Sequence, residues 1–178
     1  MASGIISRKW LMRTTFFTIG LIILFLQLLP LETTPRRWAG PDLLIVMTVA
    51  WAVRQPKFTP LILVGLIFLL ADLLLMRPPG MLAAVMVLAT EFQQRRSRSL
   101  RAATFITEWL LAGAVMISIA VAYRLGLAIF FVERDSLGLS LMQVIMNVMA
   151  YPVVVFLSAT LLGLRHSTAR DTSMGVAV

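Results

Sequence analysis

The chain has 178 residues, 60% of them hydrophobic and 13% charged, with 16 basic and eight acidic side chains, one histidine and no cysteine. An apolar fraction above the soluble average of about 45–50% excludes an ordinary soluble domain, and the lack of cysteine excludes disulfides, thiolate metal sites and a cysteine nucleophile. In so apolar a chain, the net charge of +8 points to basic residues kept on the cytoplasmic side of a membrane against anionic lipid, and not to nucleic acid.

Residues 1–178 read as a single polytopic all-α membrane domain with six spans. Residues 1–13 carry Arg8, Lys9 and Arg13 ahead of an apolar run at 16–29. No small-x-small cleavage site follows directly, so this run reads as an uncleaved first span. Pro30, Pro35, Gly40 and Pro41 then break the chain. Arg36, Arg37 and Trp38 fit an interfacial anchor. Asp42 is placed to cap the next helix by accepting from its free amides. That second span, 43–53 with Trp51 near its end, is short against the roughly 20 residues a crossing needs.

A basic turn with Arg54, Lys57 and Pro60 leads to the third span, 61–76. Gly65 and Asp72 are seven apart and share a helical face, where Gly65 permits close approach of a neighbour. A charge at the centre of a spanning helix costs about 2.5–3.5 kcal/mol. Asp72 is therefore expected to point into the bundle. The amides at 80–82, Arg124 and Gln143 are its candidate partners. Its role reads as a buried acid that locks packing, or else as a site of partner coupling or of a bound cation.

The turn at 77–80, Arg-Pro-Pro-Gly, precedes a short fourth span at 81–92. Glu91 stands four before Arg95, the favourable order for a helical ion pair. Arg95, Arg96, Arg98 and Arg101 read as a lipid-facing anchor, with a cytoplasmic partner as the alternative. In the fifth span, 102–125, Ala114, Ser118 and Ala122 recur every four residues and are expected to form a packing face. Glu108 is expected to pair with the arginine cluster. The segment 126–138 holds Glu133, Arg134 and Asp135. In the sixth span, 139–164, Gln143, Asn147 and Tyr151 form a polar stripe that reads as interhelical hydrogen bonding, or as one wall of a ligand pocket. Pro152 removes a backbone bond to Val148 and is expected to kink this helix. The polar tail, 165–178, holds the lone His166 and is expected to be loose.

Six spans put both termini in the cytoplasm together with Arg8, Lys9, Arg13, Arg54, Lys57, the arginine cluster, Arg165 and Arg170. Arg36, Arg37, Arg77, Arg124 and Arg134 then lie outside, an asymmetry that obeys the positive-inside rule. The signatures of metalloproteases, nucleotide-binding loops, serine hydrolases and dinucleotide sites are missing. Asp72, Glu91 and Glu108 are not spaced as a catalytic pair. No enzymatic activity, metal or cofactor is expected. The 11 methionines are filler for irregular helix packing.

Residues 41–80 carry Pro41-Asp42, Trp51, a basic turn, Gly65, then Asp72-Leu73-Leu74, three residues, Pro78, one residue and Gly80. In these motifs the chain resembles the bacterial rod shape-determining MreD family. It departs from the commoner family form at Met76, Arg77 and Pro79, where small residues or Leu are usual, so its outer turn is bulkier and charged. The resemblance implies a non-enzymatic inner-membrane subunit of the lateral cell-wall elongation machinery that pairs with MreC. The wider assembly holds MreB, RodZ, RodA and a penicillin-binding transpeptidase. The resemblance also implies a fold like the six-helix substrate-binding subunit of vitamin importers. Under it, Pro41, Asp42, Gly65, Asp72, Arg77, Pro78 and Gly80 serve packing and partner contact. The competing expectation is a small-molecule-binding subunit of a transporter, with Asp72, Gln143, Asn147 and Tyr151 around one pocket.

Overall fold

A computed structural model of the chain describes residues 2–29, 39–100, 104–132 and 136–162. The Arg36–Trp38 anchor, Arg101, the charges at 133–135 and the tail with Arg165, His166 and Arg170 lie outside the described residues. Six α-helices follow in order: α1 (Ala2–Leu28), α2 (Leu43–Arg54), α3 (Leu61–Leu74), α4 (Met81–Leu100), α5 (Phe105–Ile129) and α6 (Leu137–Leu162), with a short 3₁₀ turn at Pro56–Phe58. Helices α1, α3 and α5 run from the end of the bundle that holds the first residues, here the near end, to the opposite or far end. Helices α2, α4 and α6 return.

Lys9–Leu28 of α1, all of α5 and Leu137–Thr160 of α6 are long and apolar enough to cross a membrane. The burial pattern is that of a membrane protein, with many large apolar side chains exposed and several polar ones buried within an apolar core. Along one face of α6, Leu141, Ile145, Met149, Val153 and Phe156 are all exposed. Asp42, Thr48, Thr59, Asp72, Thr90, Gln93, Glu108 and Asn147 are all buried. An apolar surface of this extent marks contact with lipid or protein.

Helix α2 stands in the middle, against α1, α4, α5 and α6. All but three of its 12 residues are buried, among them Trp51, whose ring lies 5.3 Å from that of Phe16 on α1. A helix that is apolar all round is a core helix. At 1.5 Å per residue it is about 18 Å long, well short of the roughly 30 Å of hydrocarbon in a bilayer. Longer neighbours surround it, so its length need not match the membrane.

Several sequence expectations are corrected. The fourth helix does not stop near 92: α4 continues to Leu100 and carries Arg95 and Arg96 as helical residues. Its second half is polar, which hides its length from a hydropathy reading. The first helix begins at Ala2, well ahead of the apolar run. The third ends at Leu74. The fifth reaches Ile129, so the expected loop at 126–138 starts as helix. Pro152, expected to kink the sixth helix, lies inside α6, which runs on to Leu162. Ala114, Ser118 and Ala122 are exposed and do not form the packing face. The small residue that brings α5 against α6 is Gly113, where a Cβ would stand 3.6 Å from both methyls of Val148.

Candidate functional site

Trp51 and Gly65 of the 41–80 motif lie toward the near end, and Pro41, Asp72, Arg77, Pro78 and Gly80 lie at the far end around Asp42. This residue is the N-cap of α2, its extended backbone (φ −81°, ψ 91°) turning the carboxylate back over the helix start. Its Oδ1 accepts from the amides of Leu44 at 3.2 Å and Ile45 at 3.4 Å, and from Nε2 of Gln27 on α1 at 3.2 Å. Its own amide donates to Oδ1 of Asn147 on α6 at 2.7 Å. Its Oδ2 stands 3.9 Å from the Arg77 guanidinium. One capping residue thus ties together α1, α2, α6 and the turn between α3 and α4.

Asp72 is fully buried, as expected for an acid in an apolar run. Its partner is the start of the next helix: Oδ2 accepts from the amide of Ala83 at 3.2 Å, with the amides of Leu82 and Gly80 beside it. The first amides of a helix have no intrahelical acceptor and carry the positive end of the dipole, so an acid from α3 caps α4. Among the candidate partners expected from the sequence, the amides at the head of α4 are the ones used. Oδ1 of Asp72 is buried without a hydrogen bond. Gly65 is on the same face of α3: a Cβ there would stand 3.3 Å from Val87 on α4.

The turn after α3 explains the bulkier outer loop. The Arg77 amide donates to the Asp72 carbonyl at 2.9 Å and that of Leu75 to Ala71 at 2.9 Å. This closes a Schellman-type end with Met76 in the left-handed region at φ 55°. Met76 is 93% exposed. Helix α5 ends in the same way, with Phe131 at φ 53° and the Val132 amide on the Leu127 carbonyl at 3.0 Å. Gly80 takes φ 82° where the chain enters α4.

A cavity of about 450 Å³ opens at this end. Asp42, Arg77, Arg124, Ser140, Gln143 and Asn147 give its polar wall, and Met116, Ile119, Leu127 and Val144 its apolar one. The pocket expected from the polar stripe is therefore only half assembled. Gln143 and Asn147 line the cavity, whereas Asp72 caps α4 and Tyr151 lies deeper, toward the near end.

Tyr151 belongs to a second buried cluster that sequence reasoning did not anticipate. Its hydroxyl donates to Oε1 of Glu108 at 2.7 Å. Arg54, in the last turn of α2, grips the same carboxylate with Nε at 2.8 Å and Nη2 at 3.1 Å. Glu108 thus pairs with Arg54; within the arginine cluster Arg95 turns to Glu91 at 2.6 Å. A buried acid four residues into α5 and a cation ending a core helix were the available signal. The 54 residues between them gave no sequence reason to join them. Gln93 on α4 was also missed: it is fully buried, and neither of its side-chain polar atoms has a hydrogen bond.

Among the described residues, no group of His, Cys, Asp and Glu is placed to hold a metal ion. No family model, curated protein or solved structure matches the chain.

Proposed function

We propose that the chain is a non-enzymatic scaffold subunit of the bacterial cell-elongation complex, with the role of the MreD family. In this reading it crosses the inner membrane six times, with both termini in the cytoplasm and the far end outside, on a fold like that of vitamin-importer substrate-binding subunits. It clamps the membrane helix of MreC and through it serves the assembly of MreB, RodZ, RodA and a penicillin-binding transpeptidase.

The observation that supports this reading is the joint use of the motif residues. Asp72 caps α4, Gly65 lets the same two helices approach, Gly80 supplies the left-handed entry to α4, and Asp42 faces Arg77 across the turn. Asp42, Asp72, Arg77 and Gly80 thus join the α3–α4 turn to the starts of α2 and α4. A buried acid that neutralises helix-start amides acts through shape, and a rigid outer turn beside Pro41 and Pro78 suits partner contact.

The test compares Asp72→Asn with Asp72→Leu. Asparagine keeps an acceptor for the Ala83 amide. Leucine leaves that amide unsatisfied, at about 1–3 kcal/mol. At matched expression, Asp72→Leu is expected to lower recovery of MreC with the chain, and Asp72→Asn to lower it less. Full assembly and normal rod shape with both variants would refute an organising role.

A further inference from the structure

We propose that the far-end cavity is a binding site for an oxyanion, a phosphate or carboxylate group, with its apolar wall suited to an attached hydrocarbon portion. This does not rest on the scaffold reading and holds whatever the chain assembles with. The cavity, about 450 Å³, is within the usual range of small-molecule sites, roughly 300–1,000 Å³. Among the described residues, three charged side chains line it: two arginines, Arg77 from the α3–α4 turn and Arg124 from α5, and the carboxylate of Asp42.

The carboxylate is largely committed. Its Oδ1 serves the amides of Leu44 and Ile45 and the Gln27 side chain. Arg77 stands 3.9 Å from Oδ2, within ion-pair range but beyond a hydrogen bond, so its fork of N–H donors is not spent on Asp42. Arg124 is oriented by Nη1 donating to Ser140 Oγ at 2.5 Å. Gln143, also on the lining, adds a neutral amide donor. Guanidinium groups match planar or tetrahedral oxyanions through paired N–H donors. Met116, Ile119 and Val144 face the same space and offer no polar atom, which suits an apolar portion. Among the described lining residues the two-to-one excess of arginine over carboxylate favours an anion over a cation.

The full chain in an uncharged detergent is titrated with dioctanoyl phosphatidate, inorganic phosphate or uncharged dioctanoylglycerol while its melting temperature is followed. Binding to the folded state raises that temperature saturably. A rise with phosphatidate and none with dioctanoylglycerol is expected. Inorganic phosphate acting at equal concentration identifies a soluble anion as the source, and phosphatidate acting at least tenfold lower identifies a lipid headgroup. Arg77→Gln and Arg124→Gln are each expected to raise half-saturation at least tenfold, and Ala120→Phe to abolish the rise by filling the cavity. Should Arg124→Gln fail to fold, Arg77→Gln carries the test, since no hydrogen bond holds its side chain. No saturable rise with either anion, or one that Arg77→Gln leaves unchanged, overturns the proposal.

Discussion

Arg54 and Glu108 face each other inside the bundle through two parallel hydrogen bonds, at 2.8 and 3.1 Å, with 13% and 2% of their side chains exposed. With Tyr151 they fasten the central helix to α5 and α6 at the near end, as Asp42 and Asn147 fasten it to α6 at the far end.

Removing one partner of a buried pair strands the other, at about 3–5 kcal/mol, whereas replacing both by apolar residues of similar volume is often neutral. Glu108→Leu is therefore expected to lower stability by that amount, and Arg54→Met with Glu108→Leu to restore most of it. Tyr151→Phe loses a hydrogen bond to a charged group, about 1.5–3 kcal/mol. Thermal unfolding in one detergent, with the double-mutant cycle, measures all three. A loss in the double variant equal to the sum of the losses in Glu108→Leu and Arg54→Met alone would show that the pair is not coupled.

At the far end the backbone sets the outcome. A Cβ on Gly80 would meet only Leu69 Cδ1, at 3.9 Å, so space is not limiting, but φ is 82°. Gly80→Ala is expected to cost about 1–2 kcal/mol, the left-handed penalty of an L-residue. Met76 already bears that penalty at φ 55°, so Met76→Gly is expected to stabilise by about 1 kcal/mol. Opposite shifts in melting temperature check the pair.

Gly65 tests the α3–α4 contact. Alanine gains about 1 kcal/mol of helix propensity but pushes on Val87, 3.3 Å from the new Cβ. Gly65→Ala is expected to be near neutral, and Gly65→Leu to cost about 1–3 kcal/mol by overpacking. Val87→Ala is expected to rescue Gly65→Leu. A loss unchanged in the Val87→Ala background would place the strain elsewhere.

Topology is checked with single cysteines. Lys57 is exposed at the near end and Gly138 at the far end, where a Cβ meets nothing within 4 Å. Ser97 is buried and is a poor reporter. With only the outer membrane permeabilised, an impermeant thiol reagent is expected to label Gly138→Cys and spare Lys57→Cys. The reverse labelling would invert the topology.

The helices and the Asp42 cap were legible because they depend on neighbours in sequence: an acid just before an apolar run, prolines and glycines at the breaks. The amide partners of Asp72 were legible for the same reason, since Ala83 is only 11 residues away. The rotation of α5 was not. In a helix apolar all round, no polar face marks the outside, so Ala114, Ser118 and Ala122 read as an inner face while Gly113 occupies it. The Arg54–Glu108 pair and the cavity join helices far apart in the chain, and neither leaves a local pattern.

The central position of α2 bears on the order in which the molecule is made. It precedes α3 to α6 in the chain, is too short to hold a bilayer alone, and ends in a cation. Glu108, Asn147 and Ser158, which take up Arg54, the Asp42 amide and the Trp51 indole, are synthesised 54, 105 and 107 residues later. Until α5 and α6 arrive, α1 and α4 cover only part of the helix, and the Glu108 carboxylate that Arg54 grips has not yet been made. A nascent chain halted before α6 is consequently an incomplete shell around an unsatisfied centre, a form that membrane chaperones and proteases are placed to recognise.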